Sequence, residues 1–72
     1  MSMITITING DTKTLEQPES LAALLLSLEI DPKRVAVEHN LAIAPKSTYD
    51  AVQICHGDKL EIVHFIGGGN TQ

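Results

Sequence analysis

From Met3 to Ile8 the chain alternates without a fault, Ile4, Ile6 and Ile8 on one parity and Thr5 and Thr7 on the other. A period of two is the signature of a strand with one dry and one wet face. Asn9-Gly10-Asp11 follows, and Asn-Gly is the pair that accepts positive φ at both centres of a tight hairpin turn. The pattern predicts a return strand over Thr12 to Leu15 or Glu16, antiparallel to the first. The period then lengthens: Leu21, Leu24, Leu25 and Leu28 fall at i, i+3, i+4 and i+7, one apolar stripe of a helix. Ala22 and Ala23 add helix propensity. Ser20 can open it as N-cap, or Pro18 within the first turn, with Glu19 near the positive end of the dipole. Pro32 pushes Asp31 out of helical space, so a helix of about ten to twelve residues is expected, packed on the isoleucine face.

Beyond the proline, Arg34 to Glu38 reads as a third strand and His39-Asn40 as a turn. Leu41 to Ile43 makes a short fourth strand ended by Pro45. One helical turn over Lys46 to Asp50 is expected, with Ser47 capping, then an irregular or extended stretch from Ala51 to Ile54. Gly57-Asp58 is a turn, and Lys59 to Phe65 the last long strand. A hairpin, a helix and three short strands make an α+β fold, a mixed sheet of four to five strands around one main helix; that arrangement is the β-grasp. On the last strand Leu60, Ile62, His64 and Ile66 share one parity and Glu61, Val63 and Phe65 the other. Period-two logic opposes the faces without saying which is buried. Phe65 is either a core filler or an exposed aromatic anchor of the kind that dominates interfaces.

Composition narrows the field. Seventy-two residues, 43% hydrophobic and 19% charged, make one small packed domain, expected over residues 1–66 with a flexible tail at 67–72. A net charge of −4 with one Tyr, one Phe and no Trp disfavours nucleic acid; acidity points instead to a partner with a basic docking face. The longest apolar run, Leu21 to Leu26, is far short of the roughly 20 residues that cross a bilayer. The absence of an opening signal segment and the lone Cys55 lead to a cytoplasmic expectation. Lys13, Lys33, Arg34, Lys46 and Lys59 are dispersed along the chain and read as a solvated surface.

Candidate chemistry within the domain is thin. Cys55 and His56, as neighbours on an extended chain, point to opposite faces and do not make a nucleophile and base, so Cys55 reads as a small apolar residue. His39, His56 and His64 lack metal-ligand spacing and there is no CxxC, so no zinc site is expected. His64 reads as a surface or partner-facing residue. Asp58, after a glycine in a turn, is suited to bonding nearby backbone amides. No nucleophile, base and orienting group assemble, so an enzyme is the least favoured reading.

The tail is different. Gly67, Gly68 and Gly69 follow an apolar strand directly, and three glycines have much backbone entropy to lose and no side chain to bury. The plain reading is a flexible linker; the alternative is a terminus thin enough to enter a narrow channel on another protein. Here the chain resembles the ThiS family of ubiquitin-like β-grasp sulfur carriers in thiamin biosynthesis. The resemblance rests on Asn9-Gly10, the Leu-rich segment Ser20 to Leu28, Val35-Ala36-Val37-Glu38-His39-Asn40, and the run Gly57 to Gly69, with Pro45 and Tyr49 also where the family often has a proline and a bulky residue. It spans residues 3 to 69, and its most specific part is the turn, apolar strand and glycine run occurring together.

The resemblance implies a protein substrate, with no catalytic residue and no stably bound cofactor. An E1-like adenylating enzyme would use ATP and Mg²⁺ on the terminal glycine carboxylate. Sulfur from a cysteine desulfurase route would then replace AMP, and the thiocarboxylate would serve a thiazole synthase. Carried over, the reacting residue is Gly69, with Gly68 as alternative, and Val63, Phe65 and Ile66 are the docking residues. One departure stands out: Asn70-Thr71-Gln72 follow the glycines, so the carboxylate requires their removal. The same features suit a carrier for molybdopterin or another sulfur pathway, and a non-covalent ubiquitin-like interaction module remains the rival of a different class.

Overall fold

In the computed structural model, residues 3–65 are described. The expectations about Ile66, the glycines Gly67, Gly68 and Gly69, the Asn70-Thr71-Gln72 extension and the domain boundary at 66 lie outside those residues. β1 (Ile4–Ile8) and β2 (Asp11–Leu15) form the antiparallel hairpin, Ile4 opposite Leu15 and Ile8 opposite Asp11. Asn9 and Gly10 turn it with φ of 50° and 86°, the double positive φ that the Asn-Gly pair supplies. Ile4 and Ile6 are buried, Thr5 is exposed and Ile8 is partly buried.

The helix is shorter than its apolar stripe suggests. α1 runs Leu21–Ser27, 7 residues rather than ten to twelve. Its start is as expected: Ser20 caps it, the hydroxyl oxygen accepting from the Ala23 N–H at 3.0 Å. Its end is set by Glu29, which takes φ 61° and folds the chain back, so that the Glu29 N–H donates to Leu26 at 3.0 Å and the Ile30 N–H to Leu25 at 2.9 Å. These bonds use up carbonyls that a longer helix needs, and they bring Ile30 onto the core beside Leu28. No glycine marks this left-handed position, so the stop is invisible in the sequence; Pro32 only opens the next feature, a 3₁₀ turn over Pro32–Arg34.

Two further strands bracket the helix. β3 (Glu19–Ser20), immediately before it, pairs antiparallel with β6 (Gln53–Ile54), so Glu19 is part of a small ladder. β4 (Val35–His39) and β5 (Ala42–Ala44) form a second hairpin, turned by Asn40 and Leu41 with φ of 53° and 72°; Leu41 therefore sits in the turn and not in the strand. The 3₁₀ turn at Lys46–Thr48 has Pro45, not Ser47, in the cap position, and no side chain caps it. Thr48 Oγ1 instead donates back to the Pro45 carbonyl at 2.6 Å.

β7 (Lys59–His64) closes the fold from the inside. The sheet order is β2-β1-β7-β4-β5, with β7 parallel to β1 and antiparallel to β4, and β3-β6 forms a separate two-stranded ladder. The expected mixed sheet thus has 5 strands, with Leu21, Leu24 and Leu25 packed on one face against Ile6, Val37 and Leu60. Tyr49 is buried among them and its hydroxyl donates to the Val35 carbonyl at 3.2 Å. Burial raises its phenol pKa.

Candidate functional site at the root of the glycine run

The strand that leads to the glycines is held on three sides. β1 lies along it in parallel, but regular pairing covers only Thr7 with Lys59 and Ile8 with Leu60. Asn9 extends that pairing with its side chain: Oδ1 accepts from the Ile62 N–H at 2.7 Å and Nδ2 donates to the Ile62 carbonyl at 3.1 Å. Its own N–H donates to the Leu60 carbonyl at 2.9 Å. One amide side chain thus serves as the next residue of a strand that has already turned away. On the other side β4 pairs through five positions, from His39 opposite Leu60 to Val35 opposite His64. The Phe65 N–H continues the ladder to the Arg34 carbonyl at 2.9 Å.

A polar knot fixes the start of β7. Asp58 Oδ2 lies 2.7 Å from His39 Nε2 and accepts from the Cys55 N–H at 2.8 Å, while Oδ1 accepts from Asn40 Nδ2 at 3.1 Å. Asn40 Oδ1 in turn accepts from the Lys59 N–H at 2.9 Å. Burial alone would push the Asp58 carboxyl up. The bonds from His39, Cys55 and Asn40, with the attraction of His39, outweigh it and hold the carboxyl below its ordinary value. The expected turn role of Asp58 is therefore present, but it reaches further, tying the turn after β4 to the turn before β7.

With β7 so placed, its two parities separate as far as Val63, and His64, on the inner parity, lies beyond the core. Leu60 and Ile62 are buried; Val63 and Phe65 are 59% and 55% exposed. This resolves the two readings of Phe65: it is a surface residue. Its ring lies 4.5 Å from Lys46 Nζ, which also donates to the Lys33 carbonyl at 2.9 Å. His64 is exposed, as a surface or partner-facing residue should be.

Other expectations change. Cys55 is exposed and does not behave as a small core residue. The Thr5 N–H donates to His56 Nδ1 at 3.0 Å, which makes His56 a lateral support for β1. No group of three or more His, Cys, Asp or Glu that could hold a metal ion occurs among the described residues. Nor does any helix among them have the length and apolarity to cross a membrane. What the site offers is a strand hydrogen-bonded along both edges, with Val63 and Phe65 exposed beside it.

A mixed five-stranded sheet over one helix, with the last-made strand at its centre and leading straight to a glycine run, defines a ubiquitin-like β-grasp protein. The sequence model of the ThiS family matches residues 6–69, and the chain belongs to that family. It is 41% identical over 63 residues to the sulfur carrier protein ThiS of Bacillus subtilis, covering 86% of this chain and 96% of that one. It is 49% identical over 67 residues to a thiazole synthase of Paramagnetospirillum magneticum, covering 93% of this chain but only 21% of that protein. The chain thus spans about a fifth of the length of that relative. Among solved structures, the crystal structure of the thiamine biosynthesis protein ThiS from Geobacter metallireducens superposes with a TM-score of 0.80 at 29% identity, covering 92% of this chain and 100% of that one.

Proposed function

We propose that this chain is a sulfur carrier for thiazole formation in thiamin biosynthesis, a protein substrate and not an enzyme. The observation that carries the reading is the exposed apolar pair Val63, in β7, and Phe65, just after it, shortly before Gly67-Gly68-Gly69 in the sequence. A domain whose chemistry is done by another protein needs such a docking face beside a reach of backbone without Cβ atoms. Ile66 is the third docking residue on this reading.

The reacting group is the carboxylate of Gly69, or of Gly68 as second choice. While Gly69 is peptide-bonded to Asn70 that carboxylate does not exist, so cleavage of this bond precedes activation. The freed carboxylate attacks the α-phosphorus of ATP in an E1-like enzyme and displaces pyrophosphate; that enzyme supplies the Mg²⁺ and basic groups that stabilise the transition state. The acyl adenylate makes the carbonyl electrophilic, and a persulfide from a cysteine desulfurase route displaces AMP to give an acyl disulfide. A second thiol attacks that disulfide, releasing the thiocarboxylate and leaving the two thiols joined as a disulfide. The thiocarboxylate is then used by a thiazole synthase; the relative of that name that contains a segment like this chain supports that partner. The reading puts the carrier in the reducing cytoplasm, where the exposed Cys55 stays a thiol.

Intact-mass spectrometry of the protein recovered from its native cells tests this. The expected species ends at Gly69 with one oxygen replaced by sulfur. Persistent Gly69–Asn70 linkage with no ATP-dependent adenylate would sink the covalent reading and leave a non-covalent ubiquitin-like interaction module.

A further inference from the structure

Three of the five basic residues that look dispersed in the sequence lie close together in the fold. Lys46 Nζ sits over Phe65 and bonds to the Lys33 carbonyl, and the Arg34 carbonyl accepts from the Phe65 N–H. The Lys46 ammonium therefore stands over Phe65, and the backbone of Lys33 and Arg34, two further basic residues, borders the same end of the strand. The one acid touching them is Asp31, 3.5 Å from Arg34 Nε, and the Arg34 side chain is still 78% exposed. Along the same outer face the ladder of β4 and β7 steps from Arg34 beside Phe65, to Ala36 opposite Val63, to Glu38 opposite Glu61. Ile43 of β5 lies opposite Glu38 and is 67% exposed. Lys59 shares the outer parity of β7 beyond Glu61, but it makes no ion pair with either glutamate; the ion pairs among the described residues are Arg34–Asp31 and His39–Asp58. Like charges directly opposite on a sheet are destabilising, so folding gives no reason to place Glu38 against Glu61.

We infer that this outer face is a graded docking surface, cationic at the root of the tail, apolar at its centre and anionic at its far end. It fits a partner that carries carboxylates at the mouth of the channel receiving the tail and cations about 13 Å away, the rise of four strand residues. The inference rests on the carrier reading and deepens it. Phe65 is the last outer-face residue before the tail, so whatever engulfs the glycines must cover the cationic end. An apolar patch alone lets a partner dock in either direction along the strand. A charge gradient along β4 and β7 penalises the reversed pose and steers the tail towards the mouth during encounter.

The test is the association rate of the mature carrier with purified adenylating enzyme from the same organism, measured by stopped flow at low and high salt. Lys46→Glu and Glu61→Lys are each expected to slow association roughly ten-fold at low ionic strength, an effect shrinking to about two-fold at 0.5 M salt. Lys13→Glu, on the inner parity opposite Ile6, changes net charge equally and should leave the rate within about two-fold. Glu61→Gln relieves the Glu38 repulsion, so it keeps the fold and should still slow association about three-fold. Equal effects from Lys13 and Lys46, or reversals that leave the rate flat, overturn the inference while leaving the carrier reading intact if the wild type is adenylated. A wild type that forms no adenylate overturns both.

Discussion

Alternate residues of β7 belong to different environments. On the inner parity Leu60 and Ile62 are 0% and 6% exposed, closed over by α1 and the isoleucines of β1. On the outer parity Val63 and Phe65 remain more than half exposed, though they are as apolar as their neighbours. Val63 and Phe65 match Leu60 and Ile62 in hydropathy; what differs is what each pair meets. The inner side meets this chain and carries stability. On the outer side the Phe65 ring meets Lys46 Nζ, and Val63 and Phe65 stay exposed, as a docking surface requires. Stability and function are thus divided by strand parity within one element, and substitutions should divide the same way.

The division is most easily broken from inside. Leu24→Ala empties a position that is fully buried and should cost about 2–5 kcal/mol in chemical denaturation. For a domain of this size that is enough to unfold a large fraction of molecules. Asp58→Asn comes next. It removes the charged acceptor shared by His39, Asn40 and Cys55, at a cost of about 1–3 kcal/mol at neutral pH. Because folding depresses this carboxyl, its contribution is complete above the ordinary value of 3.8 and is lost as pH falls through the lower folded value. Wild type and variant should therefore converge in urea titrations carried to acid, and parallel curves down to the lowest pH would contradict the assignment.

Asn9→Asp is subtler. Aspartate tolerates the turn conformation but places an acceptor where Nδ2 now donates to Ile62, so a loss of about 1–2 kcal/mol is expected. Protection of the Ile62 amide in hydrogen exchange should fall with it. The smallest effect belongs to the outer face. Val63→Thr keeps the branched shape, and melting should report a change within about 0.5 kcal/mol, even as docking to an adenylating enzyme weakens. If Val63→Thr destabilised as much as Leu24→Ala, the contrast between faces would be wrong.

Much of this was legible before the structure. The hairpin, the Ser20 cap, the leucine stripe and the two parities of β7 follow from local rules because each depends on residues close in sequence. The exposed side of Phe65 was not, since burial depends on which face α1 covers. Nor was the end of α1: Glu29 takes a left-handed turn without a glycine to announce it. The Asn9 clamp on Ile62 and the Asp58 knot join residues far apart in the chain, and no spacing signals such pairs. The placing of Lys46 over Phe65, with Lys33 and Arg34 at the same end of the strand, hides for the same reason, being made by the β4–β7 ladder and the turn after Pro45.

The central place of β7 has a consequence for how the molecule comes into being. β1 is made well before β7, yet it finds its parallel neighbour only when residues 59–62 have emerged, and β4 waits for the same segment. A nascent chain lacking β7 has two hairpins and a helix with no sheet to join them, and such non-local closure comes late. The ribosome therefore releases the glycines just after the segment that completes the fold. A partner that recognises the assembled outer face would then bind only a finished domain, because half-made chains lack that face.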